Sequence, residues 1–176
     1  MKQVRWAALL LAASGAGLAC DATGAFGFEF GRPVPQDASM YQIGGSVKNA
    51  MGCFDGMVPA PMQPFDHYRY CANHDRKFVY AIEASRVYAD GKVLDADKPD
   101  AAEIRAKAKQ VIAEIKEAWE KKFGFKYTSD YEHGLRWTAE TPEVRSVIDT
   151  VGPRIVVDCT NKKFEASAMK IALKSM

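Results

Sequence analysis

The chain has 176 residues, 48% hydrophobic and 26% charged. That balance suits one globular domain and excludes a wholly disordered chain, a collagen-like fibre or a polytopic membrane protein. Lys and Arg number 24 against 22 Asp and Glu, and without residues 1–19, which hold Lys2 and Arg5 and no acid, the balance is 22 against 22. A neutral remainder has no net field to draw it onto nucleic acid or anionic lipid, so nucleic acid is not an expected partner.

Lys2 and Arg5 precede an apolar run from Trp6 to Ala13, followed by the small residues from Ser14 to Ala19. A cationic start, an apolar stretch and a small-residue end, in that order, predict a secretory signal peptide over 1–19. The run is well short of the roughly 20 apolar residues that span a bilayer, and no later stretch approaches that length. The expected product is a single exported domain, 20–176, periplasmic or secreted, with no transmembrane segment after the signal. Cleavage after Ala19 leaves Cys20 first. An alternative is lipidation of Cys20 and anchoring through it, although only Ala19 and Cys20 fit a lipoprotein signal, with Gly17 and Leu18 out of place.

Residues 24–31 alternate Phe26, Phe28 and Phe30 with small or polar residues, which predicts a strand with one aromatic face. Residues 33–66 are rich in Gly, Pro and Met, and Val58-Pro59-Ala60-Pro61-Met62-Gln63-Pro64 cannot hold a regular helix, so a long Pro/Gly-rich loop segment is expected there. His67 to Ala72 and Lys77 to Arg86 alternate again, with Tyr68 and Tyr70 in the first and Phe78, Tyr80, Ile82 and Ala84 in the second. The Asn73-His74-Asp75 turn between them predicts a hairpin. Lys92 to Leu94 reads as a short, weaker strand after Asp90-Gly91.

From about Pro99 to Phe123, Ile104, Ala108, Val111, Ile112, Ile115 and Trp119 recur at spacings of three and four, with charged residues on the other side. This predicts an amphipathic helix closed by Lys121, Lys122 and Gly124, with Asp97 or a neighbour as its cap. Further strands are expected weakly at Gly134 to Thr138, strongly at Arg154 to Thr160, and over Lys163 to Leu173 with a bulge near Ala168. Strand pairs around one long helix point to an α+β fold, a mainly antiparallel sheet with that helix packed on one face.

Four cysteines in an exported chain are expected to pair. Cys53 with Cys71 is the favoured disulfide, and Cys20 with Cys159 completes the set where Cys20 is not lipidated. A competing reading takes His67, Cys71 and His74 as metal ligands, because all three lie within eight residues and zinc and copper accept these types, although the spacing matches no known finger or ribbon. Catalytic motifs are absent. Ser167-Ala168-Met169-Lys170 matches a serine–lysine pattern without its companion motifs, and Gly24, Gly27 and Gly31 lack phosphate-loop spacing. No cofactor is implied. The aromatics sit at core positions of strands and helix, so packing is expected of them rather than a ligand cleft.

Taken together, the residues predict a small exported binding or interaction domain, not an enzyme, whose partner is an unknown protein or small ligand. Two alternatives are an inhibitor or immunity-type protein against a secreted enzyme, presenting segment 57–64, and a periplasmic metal-binding protein using His67, Cys71 and His74.

Overall fold

The computed structural model describes residues 20–40, 51–73, 75–88, 90, 92, 98–129 and 134–174. The signal-peptide expectation over 1–19, the short strand at 92–94 beyond Lys92, Asp97 and His74 all lie outside them. Among the described residues the chain forms ten strands and two helices: β1 Gly24–Ala25, β2 Phe28–Glu29, β3 Ser39–Met40, β4 Met51–Asp55, β5 His67–Asn73, β6 Val79–Val87, α1 Ala101–Phe123, β7 Thr128–Ser129, β8 Trp137–Glu140, β9 Val144–Val151, β10 Arg154–Asn161 and α2 Lys162–Lys174. β1 and β2 make a small hairpin. The other eight form one sheet, ordered β3-β4-β5-β6-β10-β9-β8-β7, in which every pairing is antiparallel. The α+β class with a mainly antiparallel sheet is therefore the fold.

The β5–β6 hairpin closes where the turn residues predicted. Asn73 Oδ1 accepts the amides of Lys77 and Phe78 at 2.9 and 3.1 Å, and Arg76 takes a left-handed φ of 57°. α1 also follows its periodicity, burying Ala101, Ile104, Ala108, Ile112, Ile115 and Trp119, while Val111 is only partly buried. Its close is the expected one: Gly124 is left-handed at φ 70° and its amide reaches Glu120 O. Its start differs, because Asp100 holds the cap position without a side-chain cap and pairs instead with Lys92 at 3.1 Å.

Three expectations are corrected, and one further strand is present. The Phe26-Phe28-Phe30 segment is not one strand: Phe26 and Gly27 have φ of 52° and 79°, the two positive angles of a tight hairpin turn, so Phe26 and Phe30 are buried and Phe28 is half-buried. Segment 33–66 is not wholly loop, since it contains β3 and β4, and the connector proper begins at Gly56. Val144–Val151 is also a strand, with Val144, Ser146 and Ile148 buried in alternation. Lys163 to Leu173 is helix, so α1 is not the single helix. Asn161 Oδ1 caps α2 by accepting the amides of Lys163 and Phe164, both at 3.1 Å. Phe164 and Ala168, four apart, are the residues it packs, and Met169, Ile171 and Leu173 are left exposed.

The two helices lie on opposite faces of the sheet. α1 joins the main core with Tyr68, Tyr70, Ile82, Ile148, Ile155 and Val157, whereas Ala168 of α2 packs with Cys71, Tyr80 and Ala81. Most of the aromatics fill the first of these layers. Phe26 and Phe65 both meet Trp119, at centroid distances of 6.1 and 5.5 Å, which accounts for them as core.

Candidate functional site

The sheet face away from α1 is polar, and its register explains why. Residues directly opposite one another across antiparallel strands share a face. One such row runs Asp55, Arg69, Glu83, Asp158, Val147, Thr138 from β4 to β8, and the next runs Cys53, Cys71, Ala81, Thr160, Arg145, Glu140. Since α2 covers only part of this face, the rows from Cys53, Cys71 and Glu83 onward line an open groove of about 660 Å³ to which Glu165 of α2 contributes, with Asp55 and Arg69 outside the lining.

Most charges on this face of the sheet are matched. Arg145 Nη2 reaches Glu165 Oε1 at 2.7 Å; Arg69 meets Asp55 at 3.0 Å and Glu83 at 3.5 Å; His67 Nε2 lies 3.0 Å from Asp55 Oδ1; Arg136 is 3.4 Å from Asp149. Asp158 differs. Among the described residues it has no ion pair, and its one hydrogen bond comes from Thr160 Oγ1 at 2.5 Å. Burial pushes its carboxyl up to about 7; the Thr160 hydroxyl opposes this, Glu83 across the strand pair and Glu165 reinforce it, and Arg145 opposes it. Glu83 is also raised, again chiefly by burial, with Arg69 pulling it back. Glu83, directly opposite Asp158 across the central strands, adds its charge to the upward push on the Asp158 carboxyl.

The sign of the resulting pH effect is fixed. A carboxyl whose folded value lies above its ordinary 3.8 binds its proton more tightly in the folded chain, so its stabilising contribution is present in acid and is lost as pH rises from about 4 towards 7. Asp158→Asn, neutral at every pH and still able to accept from Thr160, is expected to match the parent near pH 4 and to exceed it in stability near pH 8. Thermal unfolding of both proteins across that range checks this. Parallel curves would show that Asp158 does not carry the shift.

Tyr80 completes the site. β5 and β6 change register at Cys71/Ala72, where Cys71 faces Ala81 and Ala72 faces Val79, so Tyr80 is the extra residue of a β-bulge. Val79 and Ile82 stay in the main core, while Tyr80 and Ala81 both turn to the α2 side. Simple alternation places Tyr80 with Phe78, Ile82 and Ala84; the bulge removes it from that row and makes it part of the groove lining. Its phenol is pushed upward by burial and by the charges of Asp158, Glu165 and Glu83. Neither Tyr80 nor Asp158 stands out by composition or motif, because what distinguishes them is what lies opposite.

The cysteines form two disulfides, Cys20–Cys159 and Cys53–Cys71. The first lies in the main core and leaves Cys20 no free sulfur for a lipid. The second joins neighbouring strands along the groove wall, with Glu83 Oε1 3.7 Å from Cys71 Sγ. Of the proposed metal ligands, the two that are described, His67 and Cys71, do not come together. Cys71 is bonded to Cys53, and His67, four residues along the same strand, is about 13 Å away by strand geometry. The sole group of three ligand-type residues within 4.8 Å of one another among the described residues is Cys53, Cys71 and Glu83, and two of its members are that disulfide. A disulfide sulfur offers no thiolate to a metal. Among the described residues no helix is long and apolar enough to cross a membrane, which together with the disulfides is compatible with export.

The chain matches no protein-family model, and neither a curated protein nor a solved structure is similar to it.

Proposed function

We propose that the protein is an exported, disulfide-braced binding domain that holds a ligand in the groove between the polar sheet face and α2, without chemical conversion. The observation that carries this reading is the half-buried carboxyl of Asp158, which among the described residues has no ion-pair partner and lines a groove of about 660 Å³, a volume within the range of small-molecule sites. A partly desolvated carboxylate with no cation beside it is costly, and a cleft that keeps one is where a ligand can supply the missing partner. The two disulfides hold the walls in place: Cys53–Cys71 on one side, and Cys20–Cys159 beneath β10.

Val147 lies beside Asp158 on the groove floor. Val147→Trp is expected to fill the groove and to abolish capture of ligand from a periplasmic or culture extract, with far-UV circular dichroism unchanged. Equal capture by the parent and Val147→Trp would sink the groove reading.

A second reading, an inhibitor or immunity-type protein, is supported by the anchoring of segment 57–64. Tyr70 Oη donates to Met57 O at 2.5 Å, and Tyr68 Oη both accepts from Met62 N at 2.7 Å and donates to Met62 O at 3.0 Å. Val58 is buried while Met57 is 72% exposed, so the loop is held at its base and presents an apolar side chain. Capture of a secreted enzyme that Met57→Ala weakens and Val147→Trp leaves intact would favour it.

A further inference from the structure

Around Asp158 the groove gathers acceptors more than donors. Arg145 is engaged by Glu165, and Arg69 lies between Asp55 and Glu83, so the nearby cations are already committed. Asp158 retains its unmatched carboxyl. Tyr80, only 9% exposed, lies in the same lining, and no described group forms a hydrogen bond with its hydroxyl. That phenol does not simply fill space, since the bulge in β6 turns it out of the main core and into the groove lining that Asp158, Glu165 and Glu83 share. An unmatched carboxylate, a second carboxylate directly opposite and an unbonded phenol oxygen make up a set of acceptors that calls for a compact cation with several donors.

Resting on the reading of the groove as a ligand site, we propose that it binds a primary ammonium group on an alkyl stem, donating to Asp158, Glu83 and the Tyr80 oxygen. An ammonium carries three donors around one centre and can meet acceptors arriving from β6 and β10 together, whereas a planar guanidinium asks for acceptors in one plane. A single divalent ion fits less well: the carboxylates of Glu83, Asp158 and Glu165 do not close to within 4.8 Å of one another as a set. The methylene stem has apolar wall to follow in Ala81, Val147, Val156 and the Cys53–Cys71 bridge. The same chemistry is offered by a free polyamine and by a lysine side chain of a peptide.

Calorimetric titration near pH 8, where Asp158 is ionised, tests this with spermidine, the tripeptide Gly-Lys-Gly, its norleucine counterpart and Gly-Glu-Gly, the three peptides acetylated at the N-terminus and amidated at the C-terminus so that the lysine side chain is the one ammonium among them. The parent is expected to bind spermidine, Gly-Lys-Gly or both, and neither of the other two; which of the amines binds more tightly identifies the source. Asp158→Asn should weaken amine binding by about tenfold to hundredfold, and Tyr80→Phe, which keeps the ring, by about threefold to tenfold. Amine binding undiminished in Asp158→Asn overturns the proposal. Binding of only the neutral or acidic peptide, lost in Val147→Trp, overturns the ammonium assignment and leaves the groove as a ligand site. Absence of binding by every probe also overturns the ammonium assignment, while extract capture by the parent against Val147→Trp decides the groove reading separately.

Discussion

Replacing Ile112 with Asp is expected to bring the protein close to unfolding. Ile112 is 1% exposed at the middle of the α1 stripe, among Ala108, Ile115 and the β9 and β10 residues Ile148, Ile155 and Val157. The substitution removes a fully buried aliphatic side chain and puts an unpaired carboxyl in its place, and the two losses together amount to at least about 4 kcal/mol. Small domains have only about 5 to 15 kcal/mol in all. Lys107→Ala on the opposite face of the same helix is the control: Lys107 is solvent-exposed and its pair with Glu103 one turn away is screened by water, so its loss should leave the midpoint almost unchanged. Urea unfolding of the two variants should give midpoints far apart, and similar midpoints would mean that this stripe does not face the core.

Removing the Cys20–Cys159 bridge should cost more than removing Cys53–Cys71, although both are single cross-links. The first joins residues 139 apart and the second residues 18 apart. In the chain-entropy account, a cross-link acts by restricting the unfolded chain, which gives about 5 kcal/mol for the long loop and about 3 kcal/mol for the short one. Local structure points the same way. Cys53 and Cys71 sit on strands already paired by backbone hydrogen bonds, whereas the segment after Cys20 reaches the sheet through fewer ties, among them Asn161 Nδ2 to Ala22 O at 2.9 Å and Val79 N to Arg32 O at 2.8 Å. Paired Cys→Ala variants avoid stray thiols. Unfolding in urea should show the larger drop in midpoint for the Cys20/Cys159 double variant, and the reverse order would rule out loop length as the source of the stabilisation.

These two predictions differ in how far the sequence alone supports them. The α1 stripe was legible because a helix writes its buried face into spacings of three and four within one stretch of chain. The β5–β6 hairpin was legible because Asn73 and its neighbours announce the turn. The α+β class followed from those two elements. α2 was misread because Phe164, Ala166 and Ala168 satisfy a period of two as readily as Phe164 and Ala168 satisfy a spacing of four. The decision between them rests on Asn161, whose side chain caps the first turn only once β10 has delivered it there.

The site was less legible still. Glu83, Asp158 and Arg145 are ordinary charged residues in sequence, far apart along the chain, and they acquire meaning from register: Asp158 faces Glu83 because β6 and β10 meet at the centre of the sheet. Tyr80 belongs to the core by simple alternation and to the groove by one inserted residue. Periodicity within a segment is a local property and can be read from the chain. The partner across a strand, the position of a bulge and the burial that lifts a carboxyl out of its usual range are set by contacts between distant segments, and only the tertiary structure decides them.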